Sequence, residues 1–210
     1  GQTDLAIETI LKKEEISAGL YETYANLGTF YIHAGRLEEG LQEIKKAIEI
    51  NPDAHFGREV YQKLLVEYVV SKKRAHILNL PMSDEYDGRP FGFAVHIMLE
   101  NLEAEGDWPS PEFTVETQAA TKGVLGMMRF GNFDSPVLLE ALASLLLNAF
   151  DETQSKQLAA RALLQASYVS EAPNQRAAYR TLAEQALSMQ TRPGTIDQIS
   201  LDEVENQFLA

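Results

Sequence analysis

The stretch that decides the fold is Tyr24–Pro52, YANLGTFYIHAGRLEEGLQEIKKAIEINP. Its apolar residues recur at helical spacing: Tyr24, Leu27 and Tyr31 in the first half, then Leu41, Ile44, Ala47 and Ile48 in the second. Yet Gly28 and Gly40 fall inside these runs, and a helix-interior glycine is about 1 kcal/mol less favourable than alanine. Two helices joined by a short turn must pack on each other. Where they cross closely, a larger side chain holds them apart, so a small residue recovers in packing what it loses in propensity. The stretch therefore predicts a helical hairpin turning at Gly35, with its close contact at Gly28, Gly40 and Ala47.

Working outward, Leu5, Ile7, Ile10 and Leu11 share a helical face upstream. Downstream, Phe56, Val60, Leu64, Leu65, Tyr68 and Val69 predict a helix over 54–77. Val66–Val70 holds strand-like residues, but its periodic flanks favour helix, and no segment carries a convincing period-two alternation. Asn51-Pro52-Asp53 stops one helix and starts another, because the residue before proline resists the α region. Ser110-Pro111-Glu112 and Asp134-Ser135-Pro136 each offer an N-cap and a first-turn proline. Ser200-Leu201-Asp202-Glu203 has capping-box spacing for a short last helix. Irregular stretches are expected at about 79–92 and 106–110, and a break at Pro193-Gly194. The fold class is all-α, with about eight or nine helices.

A length of 210 residues suits one large domain or two small ones, and the balance of 45% hydrophobic to 23% charged residues is that of a folded protein. No apolar run approaches the roughly 18 residues needed to span a bilayer; the best, Val137–Phe150, is interrupted by Glu140, Ser144 and Asn148. The absence of cysteine removes thiol catalysis, disulfides and thiolate metal sites. The net charge of −13 is unevenly spread: residues 77–113 hold eight acidic residues against Arg89 alone. Nucleic-acid binding needs basic patches, and the single basic run, Lys72-Lys73-Arg74, reads as cations complementing a helix C-terminus. No nucleic-acid partner and no membrane span are expected.

The residues of the opening stretch carry a resemblance. Tyr24-x2-Leu27-Gly28-x2-Tyr31, then Gly40-x3-Ile44-x2-Ala47, then Pro52, resembles the tetratricopeptide repeat, a helical hairpin of 34-residue period. Tyr24 replaces the usual tryptophan, Gly40 an alanine and Ile44 a phenylalanine. The match covers one repeat, roughly 21–54, and one repeat cannot bury its faces alone. Residues 4–18 are similar to the second helix of a preceding repeat, with Ala6 and Ile10 in register with Gly40 and Ile44. The chain thus begins mid-repeat and Gly1 reads as a residue left by tag removal, so further sequence is expected before it; no compartment follows. Gly131-Asn132-Phe133-Asp134 gives a weaker echo of the turn Gly35-Arg36-Leu37-Glu38, although Val124 and Glu140 stand where Gly28 and Ile44 should. The resemblance implies a right-handed solenoid of helical hairpins: repeats over 1–78, an acidic irregular connection with one helix over 79–113, degenerate hairpins over 114–190, and a tail with a short helix over 191–210.

Chemistry finds little footing. His33, His55, His76 and His96 lack the i,i+4 pairing of a zinc helix. Asp84-Glu85-Tyr86-Asp87-Gly88 lacks the length and ligand order of a calcium loop, and with Glu103, Glu105 and Asp107 it reads as solvated acidic surface. No nucleophile elbow or phosphate-cradling glycine loop is present; Gly123–Met128 reads as core packing. No enzyme activity, metal or cofactor is expected.

The distinctive loop is Tyr86–Phe93, YDGRPFGF. With Trp108 it offers Tyr86, Arg89 and Phe91 as a secondary contact site, and a small-ligand or glycan-binding protein using 79–113 is the alternative reading. Phe91 and Phe93 are expected to anchor the loop on the helix bearing Ala94, Ile97, Met98 and Leu102. The leading expectation follows from the resemblance, in which the first helix of each repeat lines a groove for peptides or proteins. Carried onto this chain, that face is Glu22, Ala25, Asn26, Thr29, Ile32 and His33. It holds no Lys or Arg, so a neutral or basic protein segment is the expected partner of a non-catalytic scaffold.

Overall fold

The computed structural model describes residues 2–83, 85–86, 89–90, 92–101, 111–149, 153–189 and 199–209. Among them ten α-helices follow one another: α1 Gln2–Ile16, α2 Tyr21–His33, α3 Leu37–Ile50, α4 Arg58–Lys72, α5 Gly92–Asn101, α6 Pro111–Phe130, α7 Pro136–Ala149, α8 Thr153–Val169, α9 Pro173–Ser188 and α10 Leu201–Leu209. The chain is all-α as expected, with one or two helices more. A two-residue antiparallel ladder pairs β1, Glu85–Tyr86, with β2, Arg89–Pro90; so short a ladder leaves no alternation in sequence. Contacts divide the chain into two compact units, Gly1–Ser71 and Lys72–Ala210. The acidic stretch 79–113 falls in the same unit as the hairpins of 114–190.

In the first unit, α2 and α3 form the hairpin foreseen at the two glycines. A Cβ at Gly28 would lie 2.7 Å from the Ile44 side chain and 3.0 Å from the Gly40 carbonyl oxygen. One at Gly40 would lie 3.0 Å from the Gly28 carbonyl oxygen and 2.7 Å from Ile32 Cγ1. The two backbones touch, and Ile44 and Ala47 beside them are fully buried. The turn closes with Gly35 at φ 77, a left-handed position. Arg36 N donates to Tyr31 O (2.9 Å) and Gly35 N to Ile32 O (3.0 Å), the pair of bonds that ends a helix in a Schellman motif. The Arg36 guanidinium then stacks 4.3 Å over the Tyr31 ring. On the other side of α2, Ile7 of α1 joins Leu27 and Tyr31 in one apolar cluster, and Tyr24 Oη donates to Glu14 at 2.6 Å.

The helix expected over 54–77 is shorter and interrupted. A 3-10 turn covers Ala54–Gly57, and α4 starts only at Arg58, because Gly57 at φ 72 and His55 at φ 50 leave the right-handed region. Past Lys72 the chain turns back on itself: Ala75 and His76 both have positive φ (51° and 65°), while Arg74 and Ile77 exchange two backbone hydrogen bonds of 3.0 Å. Such a turn is normally signalled by Asn-Gly, so Ala-His gave no warning of it.

The second unit is built on α7, α8 and α9. Leu139, Ala143 and Leu147 of α7 meet Ala159, Ala160, Leu163, Leu164 and Ala166 of α8, which in turn meet Tyr179, Leu182, Ala183 and Ala186 of α9. Alanines make the close approach here. The N-cap signals at Pro111 and Pro136 mark true helix starts. The capping box of α10 closes reciprocally, Ser200 N to Glu203 Oε2 at 2.8 Å and Glu203 N to Ser200 Oγ at 3.2 Å. Lys156, buried on α8, donates to Met189 O at 2.9 Å and so satisfies a carbonyl at the C-terminal end of α9. Phe93, Ala94 and Ile97 of α5 are buried as foreseen, with Met98 half-buried; Phe91 and Leu102 lie outside the described residues.

Candidate functional site

Each expected partner-binding residue has a definite place on α2. Glu22, Asn26 and His33 are exposed, and Thr29 is half-buried between them. These four recur at i, i+4, i+7 and i+11, one stripe along the helix. Two of the six depart from the expected outward face. Ala25 is 5% exposed, and half-buried Ile32 packs toward α3, where its Cγ1 fills the space a side chain at Gly40 would need. For Ile32 the reason is that the gap at Gly40, which it fills, is not visible from α2 alone.

Beside this stripe lies α4. Tyr21 Oη sits 2.9 Å from His55 Nδ1, and Gln62 Nε2 donates to Thr29 Oγ1 at 3.2 Å. The partners are 34 and 33 residues apart. Paired residues advance together along both segments, so α2 and α4 run parallel, whereas the Gly28–Ile44 and Ile32–Gly40 contacts make α2 and α3 antiparallel. Lys45 of α3 reaches Glu67 of α4 at 3.3 Å.

At the N-terminal ends of α2 and α4 a polar cluster forms that sequence reading missed. Glu59, 1% exposed, accepts from Arg58 Nη2 at 2.7 Å and lies 3.2 Å from His55 Nδ1. Burial alone would disfavour its charge, but the hydrogen bonds from Arg58 and His55 outweigh it and hold the carboxyl below its usual range. Its place in the first turn of α4 favours the anion further. Burial and the Glu59 charge push the Tyr21 phenol well above its ordinary range, so it stays protonated. His55 Nδ1 stands between this carboxylate and Arg58 Nη2, 3.1 Å away. The arrangement ties the N-terminal end of α2 to the start of α4 through Tyr21, His55 and Glu59, whose Oε2 is buried without a hydrogen-bond partner. The one sequence trace was the 34-residue offset from Tyr21 to His55.

The second unit hides another carboxylate. Glu140, 2% exposed, accepts from Met82 N (3.0 Å), Ser83 N (2.6 Å), Ser83 Oγ (2.7 Å) and Tyr179 Oη (2.9 Å). One turn on, Ser144 Oγ accepts from Ala94 N at 3.0 Å, in the first turn of α5. The departure from an apolar residue at position 140 thus ties the 82–94 segment and α9 to α7. Four donors saturate the carboxylate, leaving it a structural tie.

Of the secondary candidates, Tyr86 and Arg89 are cross-strand partners in the short ladder, while Phe91 and Trp108 lie outside the described residues, as do Asp84, Asp87, Glu103, Glu105 and Asp107. Among the described residues no three His, Asp or Glu side chains gather as a metal site, and no helix is long and apolar enough to cross a membrane. No protein-family model, curated protein or solved structure matches the chain.

Proposed function

We propose that the chain is a protein-interaction module of the tetratricopeptide type, without chemistry of its own, that docks a neutral or basic segment of a partner protein on the stripe Glu22, Asn26, Thr29 and His33. The observation that carries this reading is that α2 and the 55–62 segment, the 3-10 turn and the start of α4, advance together at offsets of 34 and 33 residues, close to the period of the repeat that Tyr24–Pro52 resembles. Parallel first helices of successive repeats place their outward faces side by side, which makes a surface long enough for an extended segment. Glu22 is the one formal charge of the stripe, so charge complementarity favours a neutral or basic occupant. The saturated hydrogen bonding of Glu140 and the engagement of Glu59 by Arg58 and His55 support a non-catalytic reading.

The test is capture from source lysate with paired baits, the parent chain and a Glu22→Lys/Asn26→Ala/His33→Ala variant. All three positions are exposed, so the variant should keep the parent's melting curve. A protein held by the parent and lost by the variant supports the stripe as a docking site; a protein held equally by both removes it.

A further inference from the structure

α10 is a nine-residue helix, and helices so short are not stable in water unless packed. The attachments of its described side chains are these. Leu201 and Val204 are buried against α8 and α9. Glu205 takes both guanidinium nitrogens of Arg180 at 2.8 Å and accepts the Tyr168 hydroxyl. Arg161 Nη2 donates to Gln207 Oε1 at 3.0 Å. The pairs Tyr168–Glu205 and Arg161–Gln207 run in opposite senses, so α10 lies antiparallel to α8. Of the other cations on α8 and α9, Lys156 is engaged by Met189 O and Arg176 by the Ser170 and Glu171 carbonyls. Arg161 and Arg180 are the pair that faces α10. The Arg180 contact holds the Glu205 carboxyl at about 2.

The fit is incomplete at one atom. Arg161 Nε is buried without a hydrogen-bond partner, because the amide of Gln207 supplies a single acceptor where a guanidinium can take two. A carboxylate at that position would engage the fork of Arg161 as Glu205 engages that of Arg180. α7, α8 and α9 meanwhile pack on one another through their own leucines and alanines.

We propose that the α8–α9 surface beneath α10 is a docking site for an amphipathic acidic helix of a partner protein, one carrying an apolar pair three residues apart and carboxylates at the positions of Glu205 and Gln207, with α10 as its resident competitor. The site selects acids because Arg161, Arg180 and Tyr168 all present donors to it. A resident helix lowers the apparent affinity of any incoming one by the fraction of time it occupies the site, so the partner must outbid α10.

The probe is a labelled peptide of residues 199–210, followed by fluorescence anisotropy, with the full-length chain as host. In a Val204→Asp/Glu205→Lys chain α10 should leave its seat, seen as fast amide exchange confined to α10. That chain should bind the peptide at least about tenfold more tightly than the parent does. A Gln207→Glu peptide should bind several-fold more tightly still, and an Arg161→Gln host should lose that preference. No saturable binding, with α10 exchanging freely and α7–α9 still protected, overturns the proposal. So does loss of protection across α7–α9, which would make α10 part of the core. Concentration-dependent dimerisation of the parent chain, with no preference for the Gln207→Glu peptide, would assign the surface to a second copy instead.

Discussion

The two units bring helices together by different means. In the first, α2 and α3 touch backbone to backbone through Gly28 and Gly40. In the second, α7, α8 and α9 close on buried alanines, Ala143, Ala159, Ala160, Ala166, Ala183 and Ala186. Glycine in a helix runs against propensity and alanine runs with it, so the first kind of contact announces itself in a sequence and the second does not. The buried carboxylates contrast in the same way. Glu59 is held by a guanidinium and an imidazole close in sequence, whereas Glu140 is held by a phenol, a hydroxyl and two backbone amides from segments far along the chain.

The largest expected effect lies at Glu140. Glu140→Leu would remove the charged acceptor of Met82 N and of the Tyr179 hydroxyl, at about 1.5–3 kcal/mol for each hydrogen bond to a charged group, so the second unit should lose about 4 kcal/mol in urea denaturation. A loss under about 1 kcal/mol would mean that the tie is dispensable. Next comes Gly40→Val in the first unit. Its branches would meet the Gly28 carbonyl, which cannot move without parting the helices, and overpacking of this kind costs about 3 kcal/mol.

A smaller pair sharpens the comparison, because one exchange is made in both directions. Gly40→Ala should destabilise the first unit by about 1 kcal/mol despite the better helix propensity of alanine. Ala160→Gly should destabilise the second by a similar amount through propensity and lost burial. Stabilisation by Gly40→Ala would show that α2 and α3 have room to spare. Smaller again is the effect of acid on α10. The Glu205 carboxyl lies at about 2 against an ordinary 4.5, so its contribution is complete above about 4.5 and is lost as the pH falls through about 2. Amide exchange in α10 should accelerate over that window ahead of α8 and α9; simultaneous release of all three would place α10 in the same cooperative unit.

What the sequence made legible was local. Gly28 and Gly40, the Gly35 turn, the prolines opening α6 and α7 and the capping box of α10 act within a few residues of themselves, and each could be read in place. What escaped depends on distant partners. Ala25 is buried with no mark of it in its own neighbourhood, and Ile32 looks groove-facing until Gly40 is beside it. The turn at Ala75-His76 has no turn residue to signal it, and Glu140 reads as a break in the apolar pattern until Met82, Ser83 and Tyr179 converge on it. The same holds for Glu59, which is one acid among many until the start of α4 folds over Tyr21.

The central claim is that the outward face of α2, flanked by α4, receives a partner segment. A photoreactive amino acid placed at Asn26, with a control at exposed Glu49 of α3, tests it most directly in source lysate. The account predicts a protein adduct from position 26, none from position 49, and loss of the adduct when Glu22→Lys is added. Equal adducts from both positions, or an adduct from 49 alone, would contradict it.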